Sequence, residues 1–212
     1  VTPKASIAPS GRREGRKRRN REALYAAAGR LFEERGFDAV TVAEIAAEAG
    51  ISVKTLFQYV HAKEDLLFGG EADAIAALVA AVRDRGETSV LQAVTAHLLL
   101  EIADEDADGL ERFHRMVGSS PSVAARLRTM WDHFEGSLAR ELADEANEAI
   151  PSPRTRLAAA QLISLMRVTT SPEARAFVAR YPSNDDRAGL EAWILEAAEL
   201  IGAGLRDYAP RG

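Results

Sequence analysis

The chain has 212 residues, 47% of them hydrophobic and 28% charged, with no cysteine and a formal charge of −5. That length and apolar content suffice for one or two good cores, and the lack of cysteine excludes disulfides, thiolate catalysis and cysteine-based zinc or iron–sulfur sites. No run approaches the ~20 apolar residues of a membrane span, and the basic start lacks a signal-like apolar stretch, so a cytoplasmic protein with no membrane partner is expected. Charge is divided unevenly: residues 1–70 hold 12 Lys and Arg against 9 Asp and Glu, leaving 15 against 23 in residues 71–212. A basic N-terminal part on an acidic protein is the footprint of a nucleic-acid-binding head.

Residues 1–19, rich in Pro, Ser, Gly and charge, read as a flexible basic arm. Arg12, Arg13, Arg16, Lys17, Arg18, Arg19 and Arg21 crowd into ten positions. Such a run is either a solvated tail or an arm that follows a nucleic-acid backbone or minor groove, and what comes next favours the arm. A first helix is predicted over 21–35, with Leu24, Ala27, Ala28, Leu31 and Phe32 inward, ended by Gly36 and followed by Phe37. Next, Thr41 and Glu44 stand at capping-box spacing, and Val42, Ile45, Ala46 and Ala49 form one apolar face. Gly50 stops that helix, and Ser52 caps another after only Gly50 and Ile51. This is a helix-turn-helix, although two helices of an ordinary bundle could share the pattern. In the second of the two, Val53, Leu56 and Val60 are placed inward with Phe57 packing beside Leu56, while Lys54, Thr55, Gln58 and Tyr59 form an outer face without carboxylates, suited to the major groove.

The segment Leu24–Leu67, LYAAAGRLFEERGFDAVTVAEIAAEAGISVKTLFQYVHAKEDLL, closely resembles the DNA-binding head of the tetracycline-repressor (TetR-like) family. The matching pieces are AAGRLFEERGFDAVTV, EIAAEAGIS, TLFQYV and KEDLL, in one order and at the right spacing. Val60 and Gln58 stand where the family often has aromatics, and His61 and Ala62 where it commonly has Pro or a capping Ser or Asn. The resemblance implies a homodimeric regulator, a repressor, that binds a near-palindromic double-stranded DNA operator. Carried over position by position, Lys54, Thr55 and Gln58 read bases, Thr41, Ser52, Tyr59, His61 and Lys63 hold phosphates, and Val53 shares the interface. Arg18 and Arg19 are the arm residues nearest the head. The resemblance further implies that a small-molecule effector releases the operator; a body that answers to a protein partner instead is the alternative.

Beyond the head the pattern is helical only, so the fold class expected is all-α: a three-helix DNA-binding head at 20–62 and a larger effector-binding and dimerisation body at 63–212, about nine helices in all. A helix predicted over 63–84 joins head to body, with Gly69 and Gly70 near its start. Helices follow at about 89–103, 110–117, 122–147 and from 153, the last broken by Pro172, with a final one at 186–208. Apolar positions nearly all round Leu157–Met166, and Gly202 and Gly204 for close approach, point to the helices at 153 and 186–208 as the dimer contact. His97, Met130, Trp131, His133, Phe134, Leu162, Met166 and Arg167 are candidate effector contacts, although core filling explains the apolar ones as well.

No catalytic motif and no cofactor is expected: nucleophile elbow, phosphate loop and dinucleotide fingerprint are all missing. Asp104, Asp106, Asp108 and Gly109 imitate the start of a calcium loop, but the twelfth position is Arg115 where a bidentate Glu is needed. The four histidines show no metal spacing, and none is assigned to a metal.

Overall fold

In the computed structural model, which describes residues 9–104, 115–180 and 186–205, every regular element among the described residues is helical, as the sequence pattern requires. In chain order they are α1 (Pro9–Arg35), α2 (Val42–Glu48), α3 (Val53–Leu56), a 3-10 turn (Lys63–Leu67), α4 (Glu71–Arg83), α5 (Val90–Asp104), α6 (Pro121–Glu145), α7 (Pro153–Thr169), α8 (Pro172–Val178) and α9 (Asp186–Leu205). Residues 115–119 are also helical. Most of the acidic turn after Asp104 lies outside the described residues. The contacts divide the chain into two units: residues up to Gly69 together with Gly118–Arg126, and Gly70–Val117 with the chain from Leu127 onward.

In the first unit α1 begins at Pro9 rather than near Arg21, so part of the expected arm is helix. Lys and Arg are good helix formers, and the glycines at 11 and 15 cost too little to break a helix once it is extended from the packed residues behind it. Those packed residues are Leu24, Ala27, Ala28 and Phe32, all buried. Leu31, expected beside them, is only half-buried. Gly36 ends the helix at φ +80°. Phe37 then turns its ring back to Phe32, 5.0 Å between centroids.

The capping box at α2 is formed in full: Thr41 Oγ1 accepts from the Glu44 amide at 3.3 Å, and the Glu44 carboxylate accepts from the Thr41 amide at 2.8 Å. Arg35 lies 2.8 Å from the same carboxylate. Hydrogen bonds from the Thr41 hydroxyl and amide, then Arg35, lower the Glu44 pKa from 4.5 to about 2. At the other end Gly50, at φ +66°, donates to the Ala47 carbonyl, and Ile51 donates to Ala46. These two bonds make a Schellman stop, which satisfies carbonyls the helix leaves open.

In the second unit α9 packs on α5, α7 and α8, and α4 packs on α5. Leu78 and Val82 of α4, Val94 and Leu98 of α5, Phe134 and Leu138 of α6, Leu162 and Ile163 of α7 and Ile194 of α9 are buried together in its core. Arg83 and Arg85, at the end of α4, pair with Glu141 and Glu145 near the end of α6. The break at Pro172 is as predicted, with Ser171 capping α8. Among the described residues, no helix is long and apolar enough to cross a membrane.

The predicted helix over 63–84 is two elements. The 3-10 turn ends at Leu67, and α4 starts only at Glu71 with Gly70 as its N-cap. Gly69 therefore lies outside any helix, and its lack of a side chain matters for packing: a Cβ there would sit 2.5 Å from the Tyr25 ring.

Two predictions follow from this local geometry. Gly69→Ala should push the Tyr25 ring aside and lower the stability of the head by about 1–3 kcal/mol. Gly70→Ala, which meets nothing within 4 Å, should stay within about 0.5 kcal/mol, and chemical denaturation of the two variants compares them directly. Glu44 has a depressed folded pKa, so its contribution is present above 4.5 and disappears as the pH falls from there toward 2. Glu44→Gln should accordingly weaken the head at neutral pH and flatten its loss of stability on acidification, followed by circular dichroism across that range.

Candidate nucleic-acid interface

Ser52 sets the start of α3: its Oγ accepts from the Thr55 amide at 3.1 Å and lies 2.8 Å from the Thr55 hydroxyl. The α-helix ends at Leu56, with the Phe57 amide donating to Val53 at 3.1 Å. Gln58 and Tyr59 then donate to the carbonyls three residues back, Thr55 and Leu56, so the segment tightens as it ends. Its β-branched and aromatic residues are weak helix formers, and the short element is held by packing instead. Leu56 and Val60 supply that packing, both buried against the head core.

With those two inward, the opposite side presents Ser52, Val53, Lys54, Phe57 and Gln58, all exposed. Thr55 and Tyr59 are half-buried at its margins. Two of these positions differ from the sequence reading. Val53, expected inward, is 37% exposed, and Phe57, expected as packing, is 47% exposed. The signal was available: Val53 and Phe57 are four apart and share one face, whereas Leu56 and Val60 share the other. Phe57 is thus a large exposed aromatic beside Lys54 and Gln58, at a position that helical spacing alone had assigned to the core.

The residues flanking this face are tied to one another. Thr41 is exposed, with its hydroxyl on Glu44. Ala62 offers no side-chain cap, and Asp65 supplies one: its Oδ2 accepts from the His61 and Ala62 amides, each at 3.0 Å. Its Oδ1 accepts from Arg126 Nε at 2.7 Å. Burial pushes the Asp65 pKa up, but the bonds from Arg126, Ala62 and His61 outweigh it and leave the carboxyl below its ordinary 3.8. Lys63 donates to the carbonyls of Phe37 and Val40, each at 2.9 Å, and lies over the Phe37 ring at 4.1 Å. Two of its three donors thus serve the turn after α1. Arg18 and Arg19 are exposed on α1, and Arg18 pairs loosely with Glu22 at 3.5 Å.

Of the candidate effector contacts, Trp131, Phe134, Leu162 and Met166 are buried, with the Trp131 and Phe134 rings 5.6 Å apart. Met130 and His97 are half-buried, and Arg167 is exposed at the end of α7. His97 lies 3.9 Å from Glu101, and His133 is engaged with Glu71 at 2.6 Å. Among the described residues, no group of His, Asp or Glu is arranged to hold a metal.

Residues 24–69 match the family model described as bacterial regulatory proteins, tetR family. The chain is 29% identical over 154 residues to the transcriptional regulator TcmR of Streptomyces glaucescens, covering 67% of this chain and 68% of that one. It is also 28% identical over 126 residues to the nucleoid occlusion factor SlmA of Pasteurella multocida, covering 56% of this chain and 63% of SlmA, a little under two thirds of that relative. Its fold is shared with the crystal structure of Thermus thermophilus FadR, described as a TetR-family transcriptional repressor in complex with lauroyl-CoA. The TM-score is 0.54 at 22% identity, over 91% of this chain and all of that one. Residues 24–69 thus carry the tetR-family match, the fold is shared with a TetR-family structure, and the chain as a whole resembles TetR-like transcriptional regulators.

Proposed function

We propose that this regulator is a homodimeric repressor that acts in the cytoplasm, binds a near-palindromic DNA operator and leaves it when a largely apolar small molecule with one polar or acidic group binds its body. The observation that carries the DNA-binding part is the exposed face of α3. From Ala49 through Lys63 there is no Asp or Glu, and Lys54, Phe57 and Gln58 stand out on a buried base of Leu56 and Val60. Lys54, Thr55 and Gln58 read base edges, and Val53 and Phe57 offer the apolar contact that a thymine methyl accepts. Thr41, Ser52, Tyr59, His61 and Lys63 hold phosphates, which sets register, while Arg18 and Arg19 reach the neighbouring backbone or minor groove. DNA binding belongs to the head at 20–62, effector binding and dimerisation to the body at 63–212.

The buried aromatic pair Trp131 and Phe134, with Leu162 and Met166, supports an apolar effector, for which His97, His133 or Arg167 would supply the polar anchor. Dimerisation is assigned to α7 and α9, with support from Leu157, Leu195 and Leu200, which are exposed in the single chain. Leu162 and Ile163 of α7 do not belong to that contact, being fully buried inside the monomer. Gly202 is likewise turned inward, where an added Cβ would come 3.2 Å from Leu91. A two-fold dimer spaces its recognition elements by about one DNA turn, ~34–36 Å, and so demands a near-palindrome.

Selection of binding sites from random-sequence DNA tests the interface. Gln58→Ala should change base preference at one or two positions in each half-site, costing about 1–3 kcal/mol there. Lys63→Ala should weaken all sequences alike and reduce the salt slope by about 1 per subunit. Equal behaviour of the two variants across the library would refute the assignment. For the dimer, Leu157→Glu combined with Leu195→Glu should give a folded monomer that no longer binds the site, and a wild type that sediments as a monomer at micromolar concentration rules the proposal out.

A further inference from the structure

Arg126 is far from the helix-turn-helix in sequence, yet it belongs to the same compact unit. Its Nε donates to Asp65 Oδ1 at 2.7 Å, and its guanidinium lies over the Phe68 ring at 5.0 Å. Asp65 turns its other oxygen to the amides of His61 and Ala62, the two residues that follow the recognition segment. One carboxylate thus joins the backbone at the end of that segment to the first turns of α6. A second attachment lies close to the start of α6: the hydroxyl of Ser120, 2% exposed, donates to Asp38 at 3.1 Å, on the turn between α1 and α2.

We propose that Arg126 is a positioning residue for operator binding: by holding Asp65 it fixes the direction in which Phe57, Gln58 and Tyr59 leave the head. The physical basis is that a carboxylate can accept several hydrogen bonds at once. With Arg126 on one oxygen, the other is held where both amides can reach it; without Arg126 the carboxylate is free to rotate and the two amides lose a fixed partner. The backbone at 61–62 carries no regular helical bonding of its own and depends on that partner. Rotations there displace the adjoining side chains, and base contacts tolerate little displacement. Nothing in this role requires Arg126 to touch DNA.

The inference rests on the reading of α3 as the DNA-contacting element. A duplex enriched by the wild-type protein from a random-sequence library serves as the probe, and failure of the wild type to enrich any sequence would defeat that reading itself. Given such a duplex, Arg126→Gln should bind it roughly 10- to 100-fold more weakly, the loss expected for a charge-assisted hydrogen bond. The slope of log affinity against log salt should stay as in the wild type, because no phosphate contact is removed. Asp65→Asn should behave alike, and the double variant should bind no more weakly than the poorer single one, since both act through the same link. Arg126→Lys, which keeps the charge and a donor but not the planar guanidinium over Phe68, should bind more tightly than Arg126→Gln and more weakly than the wild type. Wild-type binding by Arg126→Gln overturns the inference, as does a salt slope smaller by about 1 per subunit, which would make Arg126 a phosphate contact. So do additive losses in the double variant, and so does Arg126→Lys that folds, by circular dichroism, yet binds no better than Arg126→Gln.

Discussion

The head depends on one residue that must adopt a left-handed backbone. Gly50, at φ +66°, lets the chain leave α2 at Glu48 and enter α3 at Val53, with four residues between. An L-residue with a side chain would pay roughly 1–2 kcal/mol for the same conformation. Because the reversal is so tight, Ile45 of α2 and Leu56 of α3 are both brought to full burial beside Leu24 of α1. That shared core is what makes a four-residue helix stable at all, since an isolated helix of that length does not form in water. The exposed face of α3 is therefore a by-product of how its other face is buried.

Around that face the head manages its negative charge locally. Glu44 is held by Thr41 and Arg35, Glu48 by Arg30 at 2.9 Å, Asp65 by Arg126, and Asp38 accepts from Ser120. The exposed pairs, Glu44 with Arg35 and Glu48 with Arg30, add little stability. Their effect is on the field: each engaged carboxylate is kept next to a cation or donor, and Lys54 and the arginines of α1 are left to set the sign of the surface. An overall acidic protein can in this way present a basic head, which the uneven division of charge along the sequence already indicated.

What could be read from the sequence was whatever short-range chemistry decides. Thr41 and Glu44 at capping spacing, Gly36 and Gly50 as helix stops, Ser52 as a cap and Pro172 as a break all act within four residues of themselves, and each is found in the structure. Spacing failed where long-range packing decides. Nothing near Lys63 in sequence shows that its ammonium belongs to Phe37 and Val40, and nothing near Asp65 shows Arg126, because those partners are 23 to 61 residues away. Gly69 and Gly70 were expected near the start of one long helix; the first lies outside any helix and makes room for Tyr25, and the second precedes α4. In the body, the apolar faces of α7 and α9 were visible as periodic patterns, but periodicity could not say that Leu162 faces its own core while Leu157 faces outward.

The division of labour around Lys63 also bears on how such a head can change over generations. Val53, Lys54, Phe57 and Gln58 have exposed side chains that carry little of the head's core. On the proposed function, substitutions there alter what the surface recognises while leaving the fold nearly untouched, so new operators are reachable by single steps with little loss of stability. Lys63 is different: its Nζ closes the turn after α1 through two carbonyls while its charge stands beside the recognition segment. A replacement that keeps the charge but not the reach, or the reach but not the charge, loses one function with the other. Recognition in this head is free to drift at the centre of its surface and is anchored at the edge.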